Sequence, residues 1–185
     1  MIYLSRHGLD DERYVGGYSD VSLTKEGIKQ VKLIIPKLKE LNIKSIYTSD
    51  ITRAIETTKI INKELKLKVI QDKNLRELDK GNLNGKDKKL LTKEEYLNLH
   101  TRDINEKIGN GESMIDLYKR VRELLINGYF NDKDLSLLVT HRGFINMLYF
   151  ILNDIDLSLD KEKFNVTHAS VHELDIKNKR IRKLF

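Results

Sequence analysis

The chain has no cysteine, no tryptophan and a single proline among its 185 residues. Without cysteine there is no disulfide framework, no zinc–thiolate site, no iron–sulfur cluster and no thiol nucleophile. Internal repeats, low-complexity segments and a Pro/Ser-rich linker are all missing. So are long apolar runs: none approaches the ~20 residues that a membrane span needs. The first residues, Met-Ile-Tyr-Leu-Ser-Arg, put no basic stretch before an apolar core. No secretory signal is therefore expected, and the chain is expected to be cytoplasmic.

What is present suits a folded globule. Hydrophobic residues make up 39% and charged residues 34%, too apolar a balance for a disordered chain. The length predicts a single domain over residues 1–185 with an adequate core. The formal net charge is +6, which raises nucleic-acid binding as a possibility. Against it, the charges are interspersed rather than blocked. The longest basic cluster, Lys86 to Lys89, contains Asp87, and no aromatic–basic interleaving suggests a stacking platform. A solvated lysine-rich surface is the better reading, with no nucleic-acid or membrane partner.

Periodicity then organises the chain. Ile2–Ser5 predicts a strand that ends at Arg6-His7-Gly8. Thr24 is suited to cap a helix carrying Ile28, Val31, Ile35 and Leu38, with a kink expected at Pro36. Ser45–Thr48 predicts a second strand, running into Ser49-Asp50 as caps of a helix with Arg53, Ile55, Thr58 and Ile61. Val69-Ile70 is a short strand. Residues 72–110 are polar, broken by Gly81, Gly85 and Gly109, and read as an excursion over a site, with a helix near Leu90–Leu99. A helix follows over Ser113–Ile126. The continuous apolar run Leu135–Thr140 predicts a buried central strand, ending at His141-Arg142-Gly143 before a helix from Phe144 to Leu152. Ala169–Ile176 and Arg180–Phe185 predict two closing strands. Alternating strands and helices of this kind predict an α/β fold, a three-layer α/β/α arrangement on a mainly parallel central sheet.

Ligands of open α/β sheets sit beyond the carboxyl ends of the strands. Arg6-His7-Gly8, Thr48-Ser49-Asp50 with Arg53, and His141-Arg142-Gly143 all fall at such ends. If those strands are parallel neighbours, two histidines and at least two arginines converge. Such a set fits a dianion, because guanidinium forks match phosphoryl oxygen geometry. Arg53 in a first helical turn opposes the helix dipole, which makes sense if an anion sits between the two.

Together these blocks resemble the histidine phosphatase superfamily, whose fold is phosphoglycerate-mutase-like. The resemblance rests on Leu4-Ser5-Arg6-His7-Gly8, Ser22-Leu23-Thr24-Lys25-Glu26-Gly27 with Gln30, and Tyr47-Thr48-Ser49-Asp50 with Arg53-Ala54 and Thr57. It continues through Leu75-Arg76-Glu77, Gly111-Glu112-Ser113 with Asp116 and Arg120-Val121, to Val139-Thr140-His141. It implies that His7 is the nucleophile and forms a phosphohistidine, and that Arg6, Arg53 and His141 hold the phosphoryl oxygens. Glu77 would protonate the leaving oxygen and then activate water. Glu112 would touch substrate or merely open a helix. Arg142 stands where many members have Gly and would add a cation at the rim. Several cations replace a metal, so no metal and no cofactor are expected.

The chain also departs from that pattern. Many members follow His-Gly with Glu-Thr and, a few positions on, an Asn that helps bind phosphate. Here the loop reads Leu9-Asp10-Asp11-Glu12-Arg13-Tyr14-Val15, is shorter, and lacks the Asn. Asp10, Asp11 and Glu12 would disfavour highly anionic substrates unless they point outward. His168, where relatives often have Asn, is expected to support the structure from behind the site, and His100 and His172 are given no role.

The resulting expectation is a metal-independent phosphomonoesterase for a small phosphorylated metabolite, active as a monomer or homodimer. The Gly-Glu-Ser block admits sugar phosphates and a resemblance to the ribazole phosphatase of cobalamin assembly. Phosphoglycerate mutase chemistry is the alternative, less suited because such relatives usually carry more chain over the site. A non-catalytic phospho-ligand or nucleic-acid binder is the third.

Overall fold

A computed structural model describes residues 1–160 and 162–185. Among the described residues there are six strands and five α-helices. They are β1 (Ile2–Arg6), α1 (Lys25–Lys39), β2 (Ser45–Thr48), α2 (Thr52–Leu65), β3 (Lys68–Gln71), α3 (Lys93–Leu99), α4 (Met114–Ile126), β4 (Ser136–Thr140), α5 (Arg142–Leu152), β5 (Val171–Asp175) and β6 (Arg180–Lys183). Short 3₁₀ turns fill the stretch between β3 and α3.

The six strands form one mixed sheet in the order β3-β2-β4-β1-β5-β6. The pairs β3–β2, β2–β4 and β4–β1 are parallel, and the pairs β1–β5 and β5–β6 are antiparallel. Register brings Arg6 opposite Thr140, and Thr48 opposite Val139. The C-terminal ends of β2, β4 and β1 therefore lie side by side.

Alternation along the strands builds the layers. Tyr3, Ile46, Leu137 and Val139 join Val31, Ile35 and Leu38 of α1 and Ala54 and Ile61 of α2 in one cluster. Ile2, Leu4 and Leu138 face the other way, onto Leu117 and Val121 of α4 and Phe144 and Leu148 of α5. Each such fully buried side chain contributes about 1.5–3 kcal/mol, so both sheet faces need their helices. This is the α/β/α arrangement the periodicity predicts.

Helix α1 begins where Thr24 accepts from the Gly27 amide. It runs on through Pro36 to Lys39, and Pro36 lies on the exposed side, where water can serve the carbonyl it leaves unpaired. Ser49 and Asp50 do not cap α2. The N-cap is Ile51, without a side-chain hydrogen bond, while Ser49 faces His141 and Asp50 pairs with Arg76. Arg142 opens α5 rather than preceding it.

Candidate active site

The end of β1 is fixed by its backbone. The His7 amide donates to the Thr140 carbonyl at 3.0 Å, so the opening strand is tied to β4 at the point where both leave the sheet. Beyond it the chain passes very close to α1. A β-carbon on Gly8 would fall 2.6 Å from the Gly27 carbonyl oxygen, and one on Gly27 would fall 2.1 Å from that of Leu9. Thr57 accepts from the Gly8 amide and Gln30 from the Leu9 amide, each at 3.1 Å. The Gly27, Gln30 and Thr57 positions thus hold the loop that carries His7.

The two strand-end histidines meet. His7 and His141 are both buried, with ring centroids 5.1 Å apart. Nδ1 of His7 lies 2.7 Å from the Gly8 carbonyl oxygen. A carbonyl only accepts, so Nδ1 carries the proton and Nε2 keeps its lone pair. Nε of Arg53 donates to that lone pair at 3.1 Å. Burial first, and then the charge of Arg53, hold the pKa of both imidazoles well below the ordinary histidine value. Nε2 of His141 is 2.9 Å from Oγ of Ser49.

Both guanidiniums are inside. Arg53 is almost fully buried, and donates to the Gly17 carbonyl at 2.8 Å and to Ser19 at 3.2 Å. Arg6 donates to the Val166 carbonyl at 2.8 Å and to Nε2 of His168. Burial, then the charge of Arg142, brings the Arg6 pKa down to about 10, still protonated at neutral pH. Nε of Arg6 and Nδ1 of His141 are buried with no hydrogen-bond partner among the described residues.

Glu77 lines the same cavity, of about 420 Å³, as Arg6, His7 and Arg53. Its Oε2 accepts from the Gly143 amide at 3.1 Å and its Oε1 from the Leu78 amide at 3.0 Å. The excursion supplies further wall through Leu78, Lys80, Leu99, Arg102 and Ile108, and α5 supplies Met147 and Phe150. Arg142 stands on the rim, where it is 31% exposed and paired with Glu162. His100 also reaches the wall, while His172 is buried elsewhere between Tyr149 and Ser170.

Glu112 is a correction. It neither lines the cavity nor opens a helix: Ser113 is the N-cap of α4, in a capping box with Asp116. One Glu112 oxygen accepts from Nε of Arg120 at 2.8 Å, the other from the Asp79 amide at 2.9 Å. Arg120 in turn donates to the Glu77 carbonyl at 3.1 Å. Glu112 therefore steadies the Glu77 backbone from behind, through Arg120.

His168 is the opposite case. It sits in the site, 5.7 Å from His7 between ring centroids, and burial brings its pKa down to about 3. Asp10 turns inward, its Oδ2 3.6 Å from Nε of Arg53 and its Oδ1 4.0 Å from Nε2 of His168. Glu12 lines the cavity, whereas Asp11 turns away to Arg13. The signal for Asp10 and His168 was their departure from the usual residues, not any periodicity. Ligating atoms of His7, Asp10 and His168 lie within 4.8 Å of one another. With one guanidinium nitrogen against each ring nitrogen, the trio suits an anion better than a cation.

Two imidazoles with lowered pKa and two buried guanidiniums thus gather where β1, β2 and β4 end, the edge at which α/β sheets place their ligands. Residues 2–184 match the histidine phosphatase superfamily (branch 1), and the chain belongs to that family. The probable phosphoglycerate mutase GpmB of Escherichia coli O1:K1 is 36% identical over 130 residues, covering 67% of this chain and 60% of that protein. The match thus spans less than two thirds of the curated relative. Among solved structures, an Escherichia coli K-12 protein described as a putative alpha-ribazole-5'-P phosphatase superposes with a TM-score of 0.81 at 21% identity, covering 99% of this chain and 93% of that one. A mycobacterial glucosyl-3-phosphoglycerate phosphatase gives 0.72 at 22% identity, over 98% and 95%. At these identities the structures speak for the fold. Among the described residues no helix is long and apolar enough to cross a membrane.

Proposed function

We propose that the chain is a phosphomonoesterase that hydrolyses a small phosphorylated metabolite through a phosphohistidine on His7. The observation that carries this reading is the 2.7 Å contact of His7 Nδ1 with the Gly8 carbonyl, which calls for the proton on Nδ1 and leaves the Nε2 lone pair facing a guanidinium. A neutral, oriented imidazole is what nucleophilic attack on phosphorus needs.

In the first step Nε2 of His7 bonds to phosphorus as the ester P–O bond breaks, and Glu77 gives its proton to the departing alcohol oxygen. Arg53, released from the lone pair, joins Arg6 and His141 on the phosphoryl oxygens and neutralises developing charge. The unpartnered Nε of Arg6 and Nδ1 of His141 support this, since buried polar atoms seek partners and phosphoryl oxygens would supply them. In the second step Glu77 takes a proton from water, the oxygen attacks phosphorus, and the P–N bond breaks to free phosphate and His7. The guanidiniums supply the positive charge this needs, so turnover is expected to persist in EDTA.

The relatives' naming as probable phosphoglycerate mutases keeps a second reading open, in which the phosphohistidine passes its group to another hydroxyl. Asp10 and Glu12 at the cavity weigh against a doubly phosphorylated intermediate. A phosphate-release screen over metabolite esters with EDTA separates the two. Release of phosphate and acid-labile labelling on histidine are expected, both lost in His7→Ala by several orders of magnitude. Transfer between hydroxyls without release would favour the mutase, and no labelling at all would end both.

A further inference from the structure

Asp10 stands where an incoming anion has to go. Its side chain is 14% exposed, and it shares one neighbour with the His7 lone pair: Nε of Arg53 lies 3.1 Å from His7 Nε2 and 3.6 Å from Asp10 Oδ2. A phosphorus bonded to Nε2 puts its oxygens into the same gap. We propose that Asp10 makes phosphoryl binding proton-coupled, the bound anion and the Asp10 carboxylate sharing one proton taken up from solution. The proposal rests on His7 being the phosphoryl acceptor, as argued above.

Asp10 sits in a cavity of mixed charge, whose outer wall also carries Lys80, Lys88 and Arg102 against Asp103, Glu106 and Asp160. Arg6 from β1 and Arg53 from α2 bring two buried positive charges. Asp10 brings a carboxylate 3.6 Å from Arg53, and Glu77, which enters turnover carrying the proton it gives to the leaving oxygen, and Glu12 add two further carboxyl groups at the cavity. The imidazoles of His7, His141 and His168 are held neutral by burial and by the same arginines. Arg142 on α5 is a rim cation already paired with Glu162. A dianionic phosphoryl group entering this set meets a carboxylate at close range, and two such groups cannot both stay fully ionised there. The strong short bond they form by sharing a proton then replaces the contact that Asp10 makes with Arg53. Asp10 thus becomes a specificity-determining residue. It favours the singly charged phosphoryl form and penalises substrates that carry a further anionic group near the phosphate.

The test is calorimetric titration of inorganic phosphate into the full chain at pH 8, in two buffers of different ionisation heat. Uptake of about one proton per bound phosphate is expected, and the affinity of the unaltered chain falls about tenfold from pH 8 to pH 9. In Asp10→Asn the uptake drops close to zero and phosphate binds about tenfold more tightly at pH 8. Asp10→Thr gives the same result if the amide misfolds. Phosphate binding without uptake, or uptake unchanged in either variant, overturns the proposal while leaving the phosphohistidine reading intact. A chain that neither binds phosphate nor is labelled on histidine overturns both.

Discussion

A β-carbon placed on Gly143 would fall 2.1 Å from Oε1 of Glu77. The Glu77 carboxyl group thus rests against the first turn of α5, where the Gly143 amide donates to it. Only glycine leaves room for that approach. Gly143→Ala is expected to push Glu77 aside and lower kcat on esters with poor leaving groups by roughly ten- to a hundredfold. p-Nitrophenyl phosphate, whose leaving group needs little proton help, should lose much less. Equal losses on both substrates would remove Glu77 from the acid role.

The Glu112–Arg120 pair makes a related prediction. Arg120→Lys keeps the charge but cannot reproduce the fork that joins Glu112 to the Glu77 carbonyl. Steady-state kinetics should give a several-fold drop in kcat with KM little changed. Rescue of full activity by lysine would mean that charge alone suffices.

Arg142 should act on binding only. Partly exposed and paired with Glu162, it adds a screened attraction for an approaching anion. Arg142→Ala is expected to raise KM by about two- to fivefold at low salt, with kcat unchanged and the difference shrinking as salt is added. Unchanged kcat and KM would leave it a solvated arginine.

Gly8 is a stability position. A methyl group there meets the Gly27 carbonyl and, at 2.8 Å, a Val31 methyl, and neither can retreat from a packed helix. Gly8→Ala is expected to cost about 1–3 kcal/mol in denaturant unfolding, with lost activity as a second effect.

Acid should weaken the fold through His172. Burial brings its pKa down to about 4, against about 6.5 in an unfolded chain. Between those values the unfolded chain binds a proton that the folded chain does not. The contribution is therefore intact above pH 6.5 and lost as the pH falls toward 4. It amounts to about 3 kcal/mol over that window, at about 1.4 kcal/mol per pH unit. His172→Asn should make the acid limb of the melting temperature shallower, the rest being left to His7, His141 and His168, and an unchanged limb would show that this proton does not matter.

Much of this arrangement is legible from residue order. His7, Arg53 and His141 can be placed together because each closes an apolar run or opens the helix behind one, and parallel strands bring such points to one edge. Glu77 is different: it lies in a polar stretch with no periodicity, and only the resemblance singles it out. Ser49 and Asp50 look like caps because capping residues and site residues share the same chemistry at a strand–helix junction. Asp10 and His168 stand out in the sequence as departures, but that both turn into the site is hidden for another reason. Their importance comes from where loops cross, and that depends on strand pairing between the two ends of the chain rather than on local pattern.

The reversal of β5 next to β1 explains how His168 arrives. Because the two strands run in opposite directions, the residues just before β5 emerge beside the finish of β1, at Arg6 and His7. A parallel neighbour would have delivered the end of a strand there, already committed to a helix. Here it is the end of the connection before β5, tied to β1 through the Ser170 carbonyl and the Ala169 amide, that brings His168 beside Arg6 and His7. An exchange at His168 thus reaches Arg6 and His7 at once, because the same stretch holds the Arg6 guanidinium through the Val166 carbonyl and the His7 carbonyl through the Ala169 amide.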